Sequence, residues 1–218
     1  MSQKVVSVDI WYVSAYDKFM TNISALDRKA VDYSVTIVSK VGRGDLHRPT
    51  PCGEWDLTQL LTHMAAQHRG FAAAARGHGG DPAVWQLDPP ADPVAVYREA
   101  AADVTAAFSE TGVLERDFAL PEFGPGFTAA GGQAIGFHLI DYVVHGWDVA
   151  RAIGLPYELD PELAEPALRI AEAVPDGDFR LQPGSAFAPA VPNVDPSDPL
   201  ARILGLLGRS PSWPAGAK

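Results

Sequence analysis

The sequence contains a single cysteine, Cys52, among its 218 residues. One thiol cannot form an intramolecular disulfide, and it cannot supply the several thiolates of a cysteine-rich zinc site. Both kinds of cross-link are therefore excluded. Because a chain without disulfides needs no oxidising compartment, we expect a cytoplasmic protein.

Basic residues are also scarce, with 17 Lys and Arg against 27 Asp and Glu and a formal net charge of −10. No Lys/Arg cluster stands out along the chain. Nucleic acids and anionic membrane surfaces attract proteins of the opposite charge, so the composition argues against both as partners. It leaves small molecules as the expected ligands.

Long apolar runs free of glycine and proline are missing as well. The longest uncharged stretch, residues 123–140, is interrupted by glycines and a proline, so it does not read as a membrane-spanning helix. Asp9 interrupts the apolar residues near the N-terminus, and no small-residue cleavage site follows them. The sequence therefore predicts neither a membrane anchor nor a secretory signal.

Apolar residues are nevertheless plentiful, at 47% of the chain, and they recur at the helical spacings of three and four. Loops rich in glycine, proline and aspartate separate these stretches, and no run of strands or internal repeat is visible. We predict an all-α, four-helix bundle with additional terminal helices and a Pro-rich C-terminal segment. Residues 1–218 form a single domain in this interpretation, with extensions at 1–23 and 176–218. The predicted main helices cover residues 26–41, 57–76, 93–110 and 136–154, and shorter ones cover 162–173 and 200–207.

The fourth predicted helix carries an unusual polar stripe. His138, Asp141, His145 and Asp148 follow one another at intervals of three, four and three, which places them on one face of an otherwise apolar helix. Buried imidazoles and carboxylates need partners, because an unpaired one costs on the order of a few kcal/mol. The stripe therefore indicates a polar network, a bound cation, or both.

Within the stripe, one pair of residues has the spacing that best suits binding to a single ion. Asp141 and His145 are four residues apart and meet on one side of the helix, while His138 with Asp141 is the fallback pair. His138 and His145 lie about 10.5 Å apart along the axis, so one of them is outside the ligand set. His63, on the core side of the second helix, is the natural third ligand. Two histidines and a carboxylate are typical of catalytic zinc and also suit iron(II) or nickel.

Other residues have two interpretations each. Asp148 could orient a ligand imidazole by accepting its second N–H, or it could pair with Arg151. His138 and Asp148 are the predicted catalytic groups, as proton acceptors near the ion. A nucleophilic role for Cys52 is disfavoured because no histidine or lysine is adjacent to it. The remaining histidines, His47, His68 and His78, are expected at the surface or in loops.

Two segments, PTPCGEWDLTQLLTHMAAQ at 49–67 and IDYVVHGWDVARAIG at 140–154, resemble the actinobacterial DinB-like family that includes mycothiol-dependent maleylpyruvate isomerase. The closing GLLGRSPSW is similar to the ending of an uncharacterised metal-binding branch of that family. The resemblance implies a four-helix bundle whose divalent metal is held by His63, Asp141 and His145. This sequence differs from the isomerase at Asp141, where the isomerase has glutamate. A backbone closer to the metal, a bridging water or ligation by His138 would each compensate for the shorter side chain.

The function that these expectations favour is a divalent-metal-dependent enzyme in which the ion activates a thiol, with zinc as the metal and mycothiol as the thiol that the resemblance implies. The partners would be a small electrophilic substrate and a low-molecular-weight thiol, in an isomerase or S-transferase reaction. A hydrolase or lyase that activates water is the alternative within enzymes. A bundle without catalysis, which binds a small molecule, is the alternative outside them.

Overall fold

A computed structural model describes residues 22–53, 55–182 and 185–214. Residues 1–21 of the predicted N-terminal extension lie outside the described residues. Within them the regular secondary structure is helical, as predicted, apart from one short hairpin. In chain order the elements are α1 (Ile23–Val38), α2 (Leu57–Ala75), α3 (Pro93–Ala107), β1 (Asp117–Ala119), β2 (Thr128–Ala130), α4 (Gly131–Ala152), α5 (Pro161–Ala173) and α6 (Pro199–Leu206).

The helix ends follow from local chemistry. Asp56 and Gln59 form a capping box at the start of α2, each accepting a hydrogen bond from the other's backbone N–H at 2.9 Å. Gly154, with φ +75°, ends α4 in the left-handed conformation that favours glycine. The predicted bounds hold to within a few residues at most ends. The exception is the start of α4, which lies at Gly131 because β2 leads directly into it.

The four long helices form a bundle whose directions can be read from side-chain contacts. Asp27 of α1 meets His138 early in α4, and Ser34 lies beside Gly146 further along, so the two helices run the same way. The α2 helix runs opposite to α4, since His68 lies beside His138 while the earlier Met64 accepts a hydrogen bond from Tyr142. The predicted four-helix bundle is therefore present. Its core is continuous from α1 to α6.

The connection between α2 and α3 returns along α2, so that these two consecutive helices run parallel. Trp85 in this connection packs edge-on against Phe71, with ring centroids 5.3 Å apart. Gly70 makes this approach possible, because a Cβ there would lie 2.1 Å from the Trp85 ring. The indole N–H donates to the Gly79 carbonyl at 2.8 Å, a bond within the connection just after the end of α2.

The C-terminal segment is held to the bundle by a buried arginine. Arg180 is 4% exposed and donates hydrogen bonds to the carbonyls of Pro175, Ala188 and Leu206. These bonds draw the proline-rich stretch against α6. The chain after α6 then reaches back toward the middle of the bundle. No helix among the described residues is both long and apolar enough for a membrane span.

Candidate metal centre

Three of the predicted ligands converge between α2 and α4. His63 lies in the second turn of α2, and Asp141 and His145 face it from the middle of α4. One ligand atom from each residue lies within 4.8 Å of the other two. Nε2 of His145 is 3.3 Å from Oδ1 of Asp141, and the rings of His63 and His145 meet edge-on at 5.4 Å.

This spacing suits one small cation. Two ligands bound tetrahedrally at about 2.1 Å from zinc lie about 3.4 Å apart, which is close to the separation of Asp141 and His145. The shorter aspartate therefore reaches its histidine neighbour directly. The His145 side chain is 5% exposed and that of Asp141 27%, so the cluster is buried on one side and open on the other. A cluster of this form can hold an ion and leave a position for a further ligand.

The protonation of His63 also favours ligation. Burial and the neighbouring His145 lower the pKa of His63 to about 4, against the opposing effect of Asp141. The imidazole is therefore neutral at physiological pH, and a neutral imidazole is the form that binds metals. Trp55 packs beside it, with ring centroids 4.7 Å apart.

Behind His145 lies a buried carboxylate. Nδ1 of His145 is 2.9 Å from Oδ2 of Asp148, a residue with no exposed surface. Arg209 approaches the same oxygen at 3.4 Å, so Asp148 pairs with Arg209 and not with Arg151. Arg151 instead donates to the Trp213 carbonyl. Oδ1 of Asp148 and Nε of Arg209 have no hydrogen-bond partner among the described residues.

A second group of potential ligands, formed by Cys52, His145 and Asp148, does not fit a cation. The ligand atoms lie within 4.8 Å of one another. The Arg209 guanidinium, however, is 3.1 Å from the Cys52 sulfur and supplies the positive charge there. Burial raises the pKa of the Cys52 thiol to about 12, so it is not a ready thiolate. The sequence analysis singled out the segment that carries Arg209 but assigned no role to this residue. The only sign of one was that Arg209 is the single charged residue in an otherwise uncharged segment.

The structure places His138 away from the cluster, in a separate buried layer. Its Nδ1 is 2.6 Å from Oδ1 of Asp27, and its Nε2 is 3.0 Å from Nδ1 of His68. All three residues are at most 1% exposed. Both ring nitrogens of His138 are thus engaged by protein groups, which leaves none for an ion. The expectation that His68 lies at the surface was wrong: its ring stacks on Tyr142 at 3.9 Å in the core, whereas His47 and His78 are exposed as predicted.

Two further polar residues, Gln67 and Glu122, lie near the cluster, and of the two only Gln67 has a helical spacing that links it to His63 in the sequence. Gln67 lies one turn after His63 on α2, and its side chain bonds Glu122 from the turn Pro121–Phe123. Although Glu122 is exposed as a whole, its carboxyl group lies among protein atoms. This desolvation, together with the charge of Asp141, raises the pKa of Glu122 to about 7.

Comparison with known proteins identifies the family of the chain. A family model for the mycothiol maleylpyruvate isomerase N-terminal domain matches residues 28–150, which span α1 to α4 and all three clustered ligands. The chain belongs to this family. Uncharacterised proteins from two strains of Mycobacterium tuberculosis are each 33% identical over 185 residues, which cover 82% of this chain and 94% of theirs.

Solved structures show the same DinB-like fold. The crystal structure of a mycothiol-dependent maleylpyruvate isomerase superposes with a TM-score of 0.54 at 13% identity, and that of a histidine-to-alanine mutant with a TM-score of 0.55 at 12%. Each comparison covers 71% of this chain and 68% of the other. At this identity the likeness establishes the fold, and the chemistry has to be argued from the residues.

Proposed function

We propose that the chain is a divalent-metal-dependent enzyme that uses a low-molecular-weight thiol, with mycothiol the first to test, on a small electrophilic substrate in an isomerase or S-transferase reaction. The observation that supports this most directly is the convergence of His63, Asp141 and His145 on one point with a solvent-facing side. Zinc is the metal that this donor set suits best. Family membership supports the choice of thiol, since the matching family model is that of the mycothiol maleylpyruvate isomerase N-terminal domain.

In this proposal each residue has a distinct task. His63, Asp141 and His145 would hold the ion, which when bound would lower the pKa of a coordinated thiol. Asp148 accepts the Nδ1–H of His145 and so turns Nε2 toward the ion. Because it is fully buried behind His145, Asp148 acts as a positioning residue. His138 is fully buried and both its ring nitrogens are engaged by Asp27 and His68, so its contacts favour a role in holding α1, α2 and α4 together.

A metal analysis combined with a thiol-dependence assay tests the proposal. Protein purified without chelator or nickel resin should carry close to one equivalent of divalent metal, and consumption of an electrophile should require mycothiol. His63→Ala should reduce bound metal to less than about a tenth of an equivalent because one of three ligands is lost. His47→Ala is the matched control, since the His47 side chain is 90% exposed and is not part of the ligand set. Full metal content and full activity in His63→Ala would refute the site, and equal turnover without thiol would favour the hydrolase alternative.

A further inference from the structure

The two residues that the sequence predicted as proton acceptors are not placed to serve the open side of the cluster. Asp148 has no exposed surface and lies behind His145, whose Nδ1–H it accepts. His138 is fully buried, and Asp27 and His68 engage its two ring nitrogens. In the proposed reaction the thiol has to lose its proton, so a different group must accept it.

A carboxylate side chain is held across the groove between α2 and α4, close to the ligands. It belongs to Glu122, in the short turn Pro121–Phe123 that lies between β1 and β2. The Glu122 carboxylate accepts a hydrogen bond from Gln67 of α2. The next residue, Phe123, stacks on Phe137 of α4 with ring centroids 5.1 Å apart. The turn is thus attached to both of the helices that carry the ligands.

These attachments place Glu122 one helical turn from the ligands. Gln67 follows His63 by four residues on α2, which is about 6 Å along the axis. Phe137 precedes Asp141 by the same interval on α4. Because α2 and α4 are antiparallel, both displacements point the same way, so the turn crosses the groove on one side of the cluster. The groups that act on the Glu122 carboxyl are accordingly Asp141 from α4 and Gln67 from α2.

The surroundings of Glu122 suit a group that exchanges a proton near neutral pH. Desolvation of the carboxyl, together with the charge of Asp141, raises the pKa of Glu122 to about 7. With an ion bound, the charge of Asp141 would be offset and the ionised form of Glu122 favoured, which is the form that accepts a proton. A proton acceptor works best when its pKa lies near the working pH.

We propose that Glu122 is the proton acceptor of this site, which takes the S–H proton of the thiol and passes it to the substrate. The inference rests on the proposed function, because the thiol is part of it. When the thiol adds across a conjugated double bond, the S–H bond breaks and sulfur bonds to one carbon. The proton held by Glu122 then forms the C–H bond at the neighbouring carbon. Atoms and charges balance without an oxidant or a reductant, and reversal of these steps after bond rotation gives the isomer.

Counting protons on thiol binding tests the acceptor role without turnover. Mycothiol is titrated into zinc-loaded protein at pH 7 by calorimetry in two buffers that differ in ionisation enthalpy. The parent should release fewer protons to the buffer than Glu122→Gln, by at least about 0.3 per thiol bound, because Glu122 retains part of the S–H proton. Glu99→Gln, at an exposed position of α3, should release as many as the parent. Equal release by the parent and Glu122→Gln would overturn the inference.

The pH dependence of turnover separates proton transfer from a structural role of the turn. With mycothiol and the enone benzylideneacetone, Glu122→Gln should lower kcat about 100-fold and leave the KM for the enone within about threefold. The decrease of the parent's kcat on the acid side should disappear in Glu122→Gln and persist in Glu122→Asp. Gln67→Ala, which removes the hydrogen-bond donor, should lower kcat less and keep the acid-side decrease. A lower kcat with an unchanged pH profile in Glu122→Gln would make the residue structural and overturn the inference.

The same measurements distinguish a failure of this inference from a failure of the proposed function. Zinc-loaded parent protein that binds no mycothiol would refute the proposed function and this inference with it. Bound mycothiol with equal proton release in the parent and Glu122→Gln would leave the proposed function intact and remove Glu122 as the acceptor. If the parent binds mycothiol but does not consume the enone, the proton count alone decides the role of Glu122.

Discussion

Asp148 holds His145 by its Nδ1, at 2.9 Å, from the side opposite the cluster. The same carboxylate oxygen lies 3.4 Å from the Arg209 guanidinium, so Asp148 is the acceptor in both contacts. Since Nδ1 donates, the lone pair of His145 is on Nε2, which faces Asp141 at 3.3 Å. One buried contact thus selects the tautomer that can bind a metal.

Asp148→Asn tests this relationship. An asparagine can turn its amide N–H toward Nδ1 and favour the tautomer with a protonated Nε2, so zinc affinity should fall about 10- to 100-fold. Competition with a chromophoric chelator measures the change. Asp32→Asn, on the exposed face of α1, is the control and should bind zinc as the parent does. An affinity within twofold of the parent in Asp148→Asn would show that the contact does not set the tautomer.

The sequence predicted the bundle and the pair Asp141 and His145 because both depend on periodicity, and it predicted His63 from its place on the core side of α2. The spacing of apolar residues indicates which face of each helix is buried. The i, i+4 spacing of Asp141 and His145 indicates that both lie on the same face of α4. What it missed depends on contacts between distant segments. Arg209 reaches Asp148 across 61 residues, and His68 reaches His138 across 70, so neither partner could be seen in a local pattern.

Arg209 should also contribute to stability through its buried ion pair. Arg209→Met leaves the Asp148 carboxylate buried without its cation, which should cost about 3–5 kcal/mol of unfolding free energy. The double change Arg209→Met with Asp148→Asn should cost less than the sum of the two single changes. Urea unfolding in chelator measures this cycle. Arg202→Met is the control, because it removes an exposed ion pair with Glu172 and should cost at most about 1 kcal/mol. If the effects of Arg209→Met and Asp148→Asn simply add, the two residues do not stabilise the fold as a pair.

Stability of the metal-free protein should fall in mild acid because of His63 and His68. Burial lowers the pKa of both imidazoles, that of His63 to about 4. Below the ordinary pKa of 6.5 these imidazoles bind protons in the unfolded chain but stay neutral in the folded chain. The free energy of unfolding therefore decreases as the pH falls from about 6.5 toward 4.

The variant His63→Gln isolates one of these groups. Between pH 7 and pH 4.5 it should lose about 2 kcal/mol less unfolding free energy than the parent, as the linkage relation gives for a shift from 6.5 to about 4. Urea unfolding in chelator at the two pH values measures the difference. His47→Gln, an exposed histidine, should keep the full dependence on pH. An unchanged dependence in His63→Gln would mean that His63 is not neutral in the folded protein.

Gly70 should be among the least replaceable residues of α2 because of Trp85. A methyl group at this position would lie 2.1 Å from the indole ring, so the connection to α3 would have to move off the helix. Gly70→Ala should therefore destabilise the protein by about 1–3 kcal/mol despite the higher helix propensity of alanine. Gly44→Ala is a suitable control because a Cβ there meets nothing within 4 Å. Thermal unfolding measures the loss of stability, and Trp85 fluorescence shows whether the indole has moved. A Gly70→Ala protein as stable as the parent would mean that Trp85 can move away without a loss of stability.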